Sequence, residues 1–267
     1  MAIKLFVTDL DGTLLDPNHG LSEENKKAIQ LATQQGVTVT IATGRMYVSA
    51  LPYAKQLGVD VPIITYNGAL IKSVEGEILY ESYLDAKTVV DLLDYCLEKD
   101  WYIQTYQEDK LYFKEYGEKS RGYEALAGLK GEVIGVEGLY TKTEKVPKMM
   151  VITGSSSESD RVVEALQQKF AGRLFAVKSV DEYVEIINVG VNKAKAIEML
   201  LQKLGMNKEE VMAIGDSNND LPMLKAAGHS VAMGNANAAV KSVCDYVTTD
   251  CASSGVAKAI YDYVLKG

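Results

Sequence analysis

The stretch Lys4–Leu14, K-L-F-V-T-D-L-D-G-T-L, decides the fold. Its apolar run at 5–7 is typical of a strand buried in a parallel sheet. The carboxylates of Asp9 and Asp11 follow, and Gly12 permits a sharp turn that keeps them near one point. Close carboxylates repel each other unless a cation or a shared proton relieves them. Ligands of open α/β sheets bind beyond such strand ends, so the stretch indicates a metal and phosphate site. The alternative is a strand followed by a solvated Asp-Gly turn.

Length and composition restrict the class of protein. The chain has 267 residues, which suit one large domain or two modest ones, and 47% of them are apolar, which favours a substantial core. The net charge of −8 argues against nucleic acid or an anionic membrane as the main partner. A small anionic substrate remains compatible, because a metal and a few placed cations reverse the field locally.

The cysteines and the start of the chain favour a cytoplasmic protein. Three cysteines without a C-x-x-C pair suit free thiols in a reducing compartment: Cys96, Cys244 and Cys251. The first strand begins so near Met1 that we expect no cleaved signal peptide. No apolar stretch is long enough to span a bilayer.

A strand–helix–strand unit follows the opening stretch. Ser22 is a candidate N-cap of a helix that Gly36 ends. The β-branched run 37–42 then predicts a second strand, which ends at Thr43-Gly44-Arg45. This spacing is typical of a βαβ unit, in which the two strands are parallel and the crossover is right-handed. Short strands with turn signals at 62–80 indicate a meander after it.

The character of the chain changes at about Ser82 and returns at Asn188. Paired strands with segregated helices predict an inserted α+β domain over 82–187. Within it, 114–126 is predicted to be helical and broken by glycines. Strands and helices alternate again from 188. We therefore predict an α/β fold: a doubly wound, Rossmann-like parallel-sheet core formed by 1–81 and 188–267, with the inserted domain as a cap.

Polar groups gather where the predicted parallel strands end. Asp9, Asp11 and Asp216 offer hard oxygen ligands of the kind that Mg²⁺ prefers. Thr43 and the amides near Gly44 donate to phosphate oxygens, and Lys193, at a helix start, supplies a fixed positive charge. Two histidines and no cysteine cluster make zinc a poor alternative. Neither His19 nor His229 has a partner at an informative spacing, so we assign them no role.

Four of these segments resemble the four motifs of the haloacid dehalogenase (HAD) superfamily: Asp9–Thr13 (D-L-D-G-T), Thr43–Arg45 (T-G-R), Asn192-Lys193 and Gly215–Asp220 (G-D-S-N-N-D). The segments 64–71 and 231–236 are similar to the Cof-type sugar-phosphate phosphatases of that superfamily. In the insertion the resemblance is only architectural, to an α+β (type IIB) cap. Ala194 departs from the pattern, because the group often has Gly after the lysine.

The resemblance implies a role for each matching residue. Asp9 would be the nucleophile that forms an aspartyl-phosphate, and Asp11 the general acid and then the base. Mg²⁺ would be held by the Asp9 carboxylate, the Asp11 carbonyl and Asp216, and Asp220 would orient Lys193 or a metal-bound water. Contacts with the transferring phosphoryl group are implied for the Leu10 amide, Thr43, Gly44, Lys193 and Asn219. Arg45 would bind phosphate or substrate, or make a structural ion pair.

The predicted function is a Mg²⁺-dependent phosphatase that hydrolyses small phosphorylated metabolites, with sugar phosphates as the substrate class. Metal, lysine, nucleophile and acid would have to act together, because uncatalysed monoester hydrolysis needs up to ~10²¹-fold acceleration. The cap would exclude water and set specificity. A phosphomutase of the same architecture and a non-catalytic ligand-binding relative are the alternatives. We expect a monomer or a weak homodimer.

Overall fold

A five-stranded parallel sheet, the core sheet, lies at the centre of this computed structural model, which describes residues 2–266. Its order is β2 (Thr38–Ile41), β1 (Leu5–Thr8), β12 (Val211–Gly215), β13 (His229–Ala232) and β14 (Tyr246–Val247), with β1 between β2 and β12. Thr8 lies opposite both Ile41 and Ile214. The residues that follow these three positions are therefore neighbours, as the predicted convergence of strand ends requires.

Within residues 2–266, six α-helices accompany the core sheet: α1 (Glu23–Gln34), α2 (Tyr47–Leu57), α7 (Lys193–Leu204), α8 (Leu221–Ala226), α9 (Ala238–Lys241) and α10 (Gly255–Ala259). Ser22 caps α1 by accepting a hydrogen bond from the Asn25 amide. Apolar residues of α1 and α7 pack with those of the strands in one buried cluster. Burial on both faces explains why the strands are apolar throughout rather than alternating.

The meander predicted at 62–80 is an antiparallel three-stranded sheet at the β2 edge. It contains β3 (Ile63–Thr65), β4 (Leu70–Lys72) and β5 (Ile78–Glu81). A parallel bridge between Ala42 and Ile64 joins it to the core. The turn between β3 and β4 brings Asn67, with φ +56°, next to the strand ends.

The cap contains a six-stranded sheet, the cap sheet. Its order is β10 (Leu174–Val180), β11 (Tyr183–Asn188), β9 (Lys148–Ile152), β6 (Tyr102–Gln107), β7 (Lys110–Phe113) and β8 (Glu132–Val133). Neighbours are antiparallel except β7 and β8. Four helices belong to it: α3 (Ala86–Glu98), α4 (Glu118–Ala127), α5 (Gly135–Leu139) and α6 (Ser156–Lys169).

Both faces of the inner cap strands β6, β9 and β11 are buried. Met149 packs with residues of α3 and α6, whereas its neighbour Met150 packs in a cluster that includes Met46 and Tyr66 of the core. One face thus rests on the helices of the cap and the other is turned toward the core. The predicted fold class is confirmed, whereas the boundaries at 82 and 187 stay predictions.

Details of the cap differ from the predictions. The helix predicted at 114–126 begins only at Glu118, after Gly117, and continues through Gly122 without a break. No atom would lie within 4 Å of a Cβ at Gly122, so the packing of the helix does not require a side chain at this position. The short elements α5 and β8 carry no clear periodicity and were not predicted. No helix within 2–266 combines the length and the apolarity that a membrane crossing requires.

Candidate active site

A buried lysine between two carboxylates forms the centre of the site. Lys193 has no exposed surface, and its Nζ lies 2.7 Å from Oδ1 of Asp9 and 2.5 Å from Oδ1 of Asp220. Asn192 caps α7 by accepting from the Lys195 amide, which fixes Lys193 in the first turn. Burial opposes the charge of Lys193, but the two carboxylates outweigh it and raise its pKa. Lys193 is therefore a permanent cation.

Asp220 organises the loop that follows β12. Its second oxygen, Oδ2, accepts hydrogen bonds from the amides of Asp216 (3.0 Å) and Ser217 (3.1 Å). A Cβ on Gly215 would lie 2.6 Å from the Asp220 carboxyl carbon, so only glycine admits this approach. Since both oxygens of Asp220 are engaged within the protein, it acts on the site by holding Lys193 and the loop.

Three carboxylates approach one another at the end of the core sheet. Oxygens of Asp9, Asp216 and Asp220 lie within 4.8 Å of each other. Burial raises the pKa of Asp9 well above its ordinary value. Burial, with the charge of Asp220, raises the pKa of Asp216 to about 7, although Thr13 donates to it at 2.8 Å. Carboxylate oxygens are hard donors, and a divalent cation would offset the unfavourable ionisation of these buried groups. The cluster is therefore a suitable site for such a cation.

From the raised pKa values of these carboxyl groups, we predict that Mg²⁺ stabilises the folded protein more strongly as the pH rises. Because the pKa values of Asp9 and Asp216 are raised on folding, the folded protein retains protons that the unfolded chain has released. The contribution of both groups to stability therefore falls as the pH rises above about 4, and for Asp216 this fall extends to about pH 7. A Mg²⁺ ion held by these carboxylates would compete with the protons. We expect saturating Mg²⁺ to stabilise by about 2–3 kcal/mol at about pH 8 and much less at about pH 5.

The measurement is the midpoint of thermal unfolding with millimolar Mg²⁺ or with EDTA at each pH. The matched control is Asp216→Asn, in which most of the pH-dependent difference should disappear. Equal Mg²⁺ shifts at both pH values would contradict this description of the carboxylate cluster.

Asp11 is held by a guanidinium group. Arg45 donates to both of its oxygens, from Nε to Oδ2 at 2.7 Å and from Nη2 to Oδ1 at 2.6 Å. Nδ1 of His19 lies 3.3 Å from Oδ1. Burial opposes ionisation of Asp11, but Arg45 and His19 outweigh it and lower its pKa to about 2. Of the two interpretations of Arg45, the structure shows an ion pair, and the pair lies inside the site.

The end of β2 forms the wall opposite Asp216. Oγ1 of Thr43 accepts from the Arg45 amide at 3.1 Å, which shapes the turn. Asn219 accepts from Ser217 and donates to Asn67 at 3.0 Å, so the loops after β12 and β3 are joined. Both asparagines thereby acquire fixed orientations. Thr43, Gly44 and Asn219 all line the same cavity as Asp9 and Asp11.

This cavity, of about 190 Å³, lies between the core and the cap. The core provides residues from the three strand ends described above. The cap provides Tyr123, Leu126, Lys148, Met150, Ser179, Val180, Tyr183 and Glu185. The site is thus enclosed by two parts of the chain that are distant in sequence.

The structure brings the predicted site residues together. Asp9, Asp11, Thr43, Gly44, Arg45, Asp216 and Asn219 line the cavity, and Leu10, Lys193 and Asp220 are buried beside it. The prediction that His19 has no role was wrong, since His19 contacts Asp11. Sequence reasoning also missed Thr13, Asn67, Lys148 and Glu185. A charge inside an apolar strand pattern was the available signal for the last two.

Comparison with known proteins identifies the family. The sequence matches the family model of haloacid dehalogenase-like hydrolases over residues 6–260. The chain belongs to this family. It is 32% identical to the 5-amino-6-(5-phospho-D-ribitylamino)uracil phosphatase YcsE of Bacillus subtilis, over 98% of this chain and 96% of the relative. It is 30% identical to the HMP-PP phosphatase of Serratia proteamaculans, over 90% and 87% of the two chains.

A solved structure agrees with the sequence relatives. The crystal structure of a haloacid dehalogenase-like hydrolase from Bacteroides thetaiotaomicron matches with a TM-score of 0.86 at 32% identity, covering 97% of this chain and 98% of that one. The resemblance found in the sequence motifs is therefore confirmed, and the protein is a phosphatase. The non-catalytic alternative is set aside.

Proposed function

We propose that this phosphatase hydrolyses phosphate monoesters of small metabolites, sugar and polyol phosphates in particular, through an aspartyl-phosphate on Asp9 with Mg²⁺ as cofactor. The position of Asp9 carries the proposal. It directly follows β1, which lies between β2 and β12, and lines the cavity, and Lys193 engages only its Oδ1. Oδ2 is left for attack on a phosphorus atom.

The carboxylate cluster fits the proposed metal. Asp9, Asp216 and the carbonyl of Asp11 would hold Mg²⁺, which when bound neutralises charge on the phosphoryl oxygens. Lys193 opposes the effect of burial on Asp9 and so favours the ionised nucleophile. Thr43 and the amides near Gly44 orient the phosphoryl group by hydrogen bonds.

The reaction proceeds in two displacements at phosphorus. In the first, Oδ2 of Asp9 forms a bond to phosphorus while the bond to the leaving oxygen breaks, and that oxygen takes a proton from Asp11. In the second, water attacks the phosphoryl group, Asp11 receives a proton from the water, and the Asp9 carboxylate is released with inorganic phosphate. A carboxylate nucleophile thereby divides a slow hydrolysis into two faster steps.

The pairing of Asp11 with Arg45 sets a condition on this mechanism. With a pKa of about 2, the paired Asp11 carries no proton near neutral pH. It can act as an acid only after leaving Arg45. A phosphate monoester offers the guanidinium group a second bidentate partner. The arriving phosphate therefore draws Arg45 from Asp11, and the freed carboxylate takes up a proton from solvent water, which it then donates to the leaving oxygen.

The acid role predicts that the effect of Asp11→Asn depends on the leaving group. An alkoxide needs a proton, so the first step with an alkyl phosphate should slow by about 10²–10⁴-fold. A p-nitrophenolate leaves readily without one, so its pre-steady-state burst should slow far less. Rapid-quench kinetics on glycerol 3-phosphate and p-nitrophenyl phosphate measure the two rates. Equal slowing of both first steps would remove Asp11 from the acid role.

The relatives support a small substrate. The names of the two phosphatases compared above both denote phosphorylated metabolites of low molecular mass. A cavity of about 190 Å³ is also too small for a folded macromolecule. The test is phosphate release from sugar phosphates, nucleotides and phosphorylated cofactors with Mg²⁺ or with EDTA. We expect Mg²⁺-dependent release that is fastest with sugar or polyol monophosphates. Turnover that survives EDTA, or transfer to a second sugar in place of water, would contradict the proposal.

A further inference from the structure

Two charged residues are buried inside the cap sheet. Lys148 of β9 is 1% exposed and Glu185 of β11 is 5% exposed. Lys148 lies opposite Ile187, two residues from Glu185, so the side chains share the face that is turned toward the core. Burying charge in a strand is costly, and apolar residues would suit this face at lower cost. The pair therefore needs an explanation beyond the folding of the cap.

The charge of Lys148 is engaged inside the protein. Its Nζ donates to the carbonyl of Gly44 at 2.7 Å and lies 3.4 Å from Oε2 of Glu185. The ring of Tyr106 lies 4.8 Å away and takes up a further side of the cation. Lys148 thus joins the cap to the turn at the end of β2, and little of its charge is available to a ligand.

Glu185 is engaged at only one of its two oxygens. Oε2 accepts from Nδ2 of Asn67 and from Lys148. No group within 2–266 donates to Oε1 in the structure, and Glu185 lines the cavity. A Cβ on Gly44 would lie 2.8 Å from both oxygens, so Glu185 is in close contact with the predicted phosphate loop. The cap therefore presents one hydrogen-bond acceptor beside the site of phosphoryl transfer.

Apart from Ser179, the remaining cap residues that line the cavity are apolar or aromatic. Tyr123 and Tyr183 meet edge to face with centroids 5.7 Å apart, and Met150 and Leu126 complete this side. Such walls suit the C–H faces of a polyol or a flat ring. They provide no cation for a second anionic group.

We propose that Glu185 determines specificity: its Oε1 accepts a hydrogen bond from a hydroxyl or amino group of the leaving group, and its charge excludes leaving groups that carry a second anion. The inference rests on the proposed phosphatase reaction at Asp9. Oε1 has no donor within the described residues and opens to the cavity, so a substrate that places a hydroxyl or amino group there gains a hydrogen bond to a charged acceptor. A carboxylate in the same place meets a like charge, which costs several kcal/mol.

The test compares substrates that differ only in this group. Sorbitol 6-phosphate ends in CH₂OH where 6-phosphogluconate ends in a carboxylate. Glycerol 3-phosphate and 3-phosphoglycerate differ in the same way and form a shorter pair. We expect kcat/KM of the wild type to favour the neutral member of each pair by tenfold or more. Glu185→Gln should reduce this ratio by about tenfold, because Lys148 is left as an unpaired cation.

Lys148→Met is the matched variant, because it leaves Glu185 as an unpaired anion. It should increase the preference for the neutral member, so the two variants move the ratio in opposite directions. If the pair only docks the cap, both variants lower all rates and leave the ratio unchanged, which would overturn the inference. A wild type that prefers the anionic members would overturn it without any variant.

The proposed reaction is checked separately with p-nitrophenyl phosphate. If the wild type, with Mg²⁺, hydrolyses neither that ester nor the neutral substrates, the proposed function fails. If it hydrolyses the aryl ester but neither neutral substrate, only the specificity inference fails. Thermal unfolding of each variant shows whether it is folded, and a variant that does not fold leaves the wild-type ratio and the other variant to decide.

Discussion

Asp9→Asn is expected to lower kcat by at least about 10⁴-fold, since loss of a covalent nucleophile leaves only binding and charge stabilisation. Asn has the same shape as Asp, and Lys193 keeps its contact with Asp220. The fold should therefore persist. The measurement is steady-state release of p-nitrophenol with Mg²⁺, together with the thermal unfolding midpoint of the variant.

The stability of Asp9→Asn separates a chemical from a structural role. Because burial raises the pKa of Asp9, the wild type must ionise a poorly solvated group at neutral pH, and the neutral amide avoids this. We expect a small change in the unfolding midpoint beside the large loss of turnover. A folded variant that retains a tenth of the activity would show that Asp9 is not the nucleophile, and a variant that unfolds would show that Asp9 is needed for the fold.

Lys193→Met is expected to destabilise the protein by about 3–5 kcal/mol and to abolish turnover, because it leaves two buried carboxylates without their cation. Chemical denaturation at about pH 8, where Asp9 with its raised pKa is more strongly driven to ionise, gives the free energy of unfolding. The stability loss should shrink toward about pH 5, where protonation relieves Asp9.

A second substitution tests the electrostatic origin of this effect. Lys193→Met with Asp220→Asn removes one of the two uncompensated charges, and the amide oxygen of Asn still accepts from the loop amides of Asp216 and Ser217. The double variant should regain part of the lost stability while remaining inactive. Stability losses that add without any recovery would mean that Lys193 acts mainly through packing.

The core and its site follow from local patterns. Apolar runs, the spacing of a βαβ unit and its handedness are sufficient to place the ends of β1, β2 and β12 side by side. Asp9, Thr43 and Asp216 stand within a few residues of those ends, so their meeting needs no knowledge of packing. For the same reason the family motifs could be read directly from the sequence.

The contacts of long side chains could not be predicted in this way. The sequence could not decide whether Arg45 contacts the substrate or forms an ion pair, because the two arrangements differ only in the side-chain torsions of Arg45. The pair with Asp11 depends on where the loop after β1 passes the end of β2. The contact of His19 with Asp11 depends on the same loop.

The cap side of the site was missed for a different reason. Lys148 and Glu185 face the core only because the cap sheet docks on it through that face, which is a property of the whole chain. Their strands, K-M-M-V-I and Y-V-E-I-I-N, nevertheless place a charge among residues that are otherwise buried. Such a charge deserves a functional hypothesis even where no motif is present.

Trapping of the covalent intermediate tests the central claim most directly. The enzyme with Mg²⁺ is mixed with p-nitrophenyl phosphate, quenched in acid within the first turnover and analysed by peptide mass spectrometry. We predict a phosphorylated peptide with the modification on Asp9, labile to mild base and absent from Asp9→Asn. Turnover at the wild-type rate with no phosphorylated peptide, or with the phosphoryl group on another residue, would contradict the account.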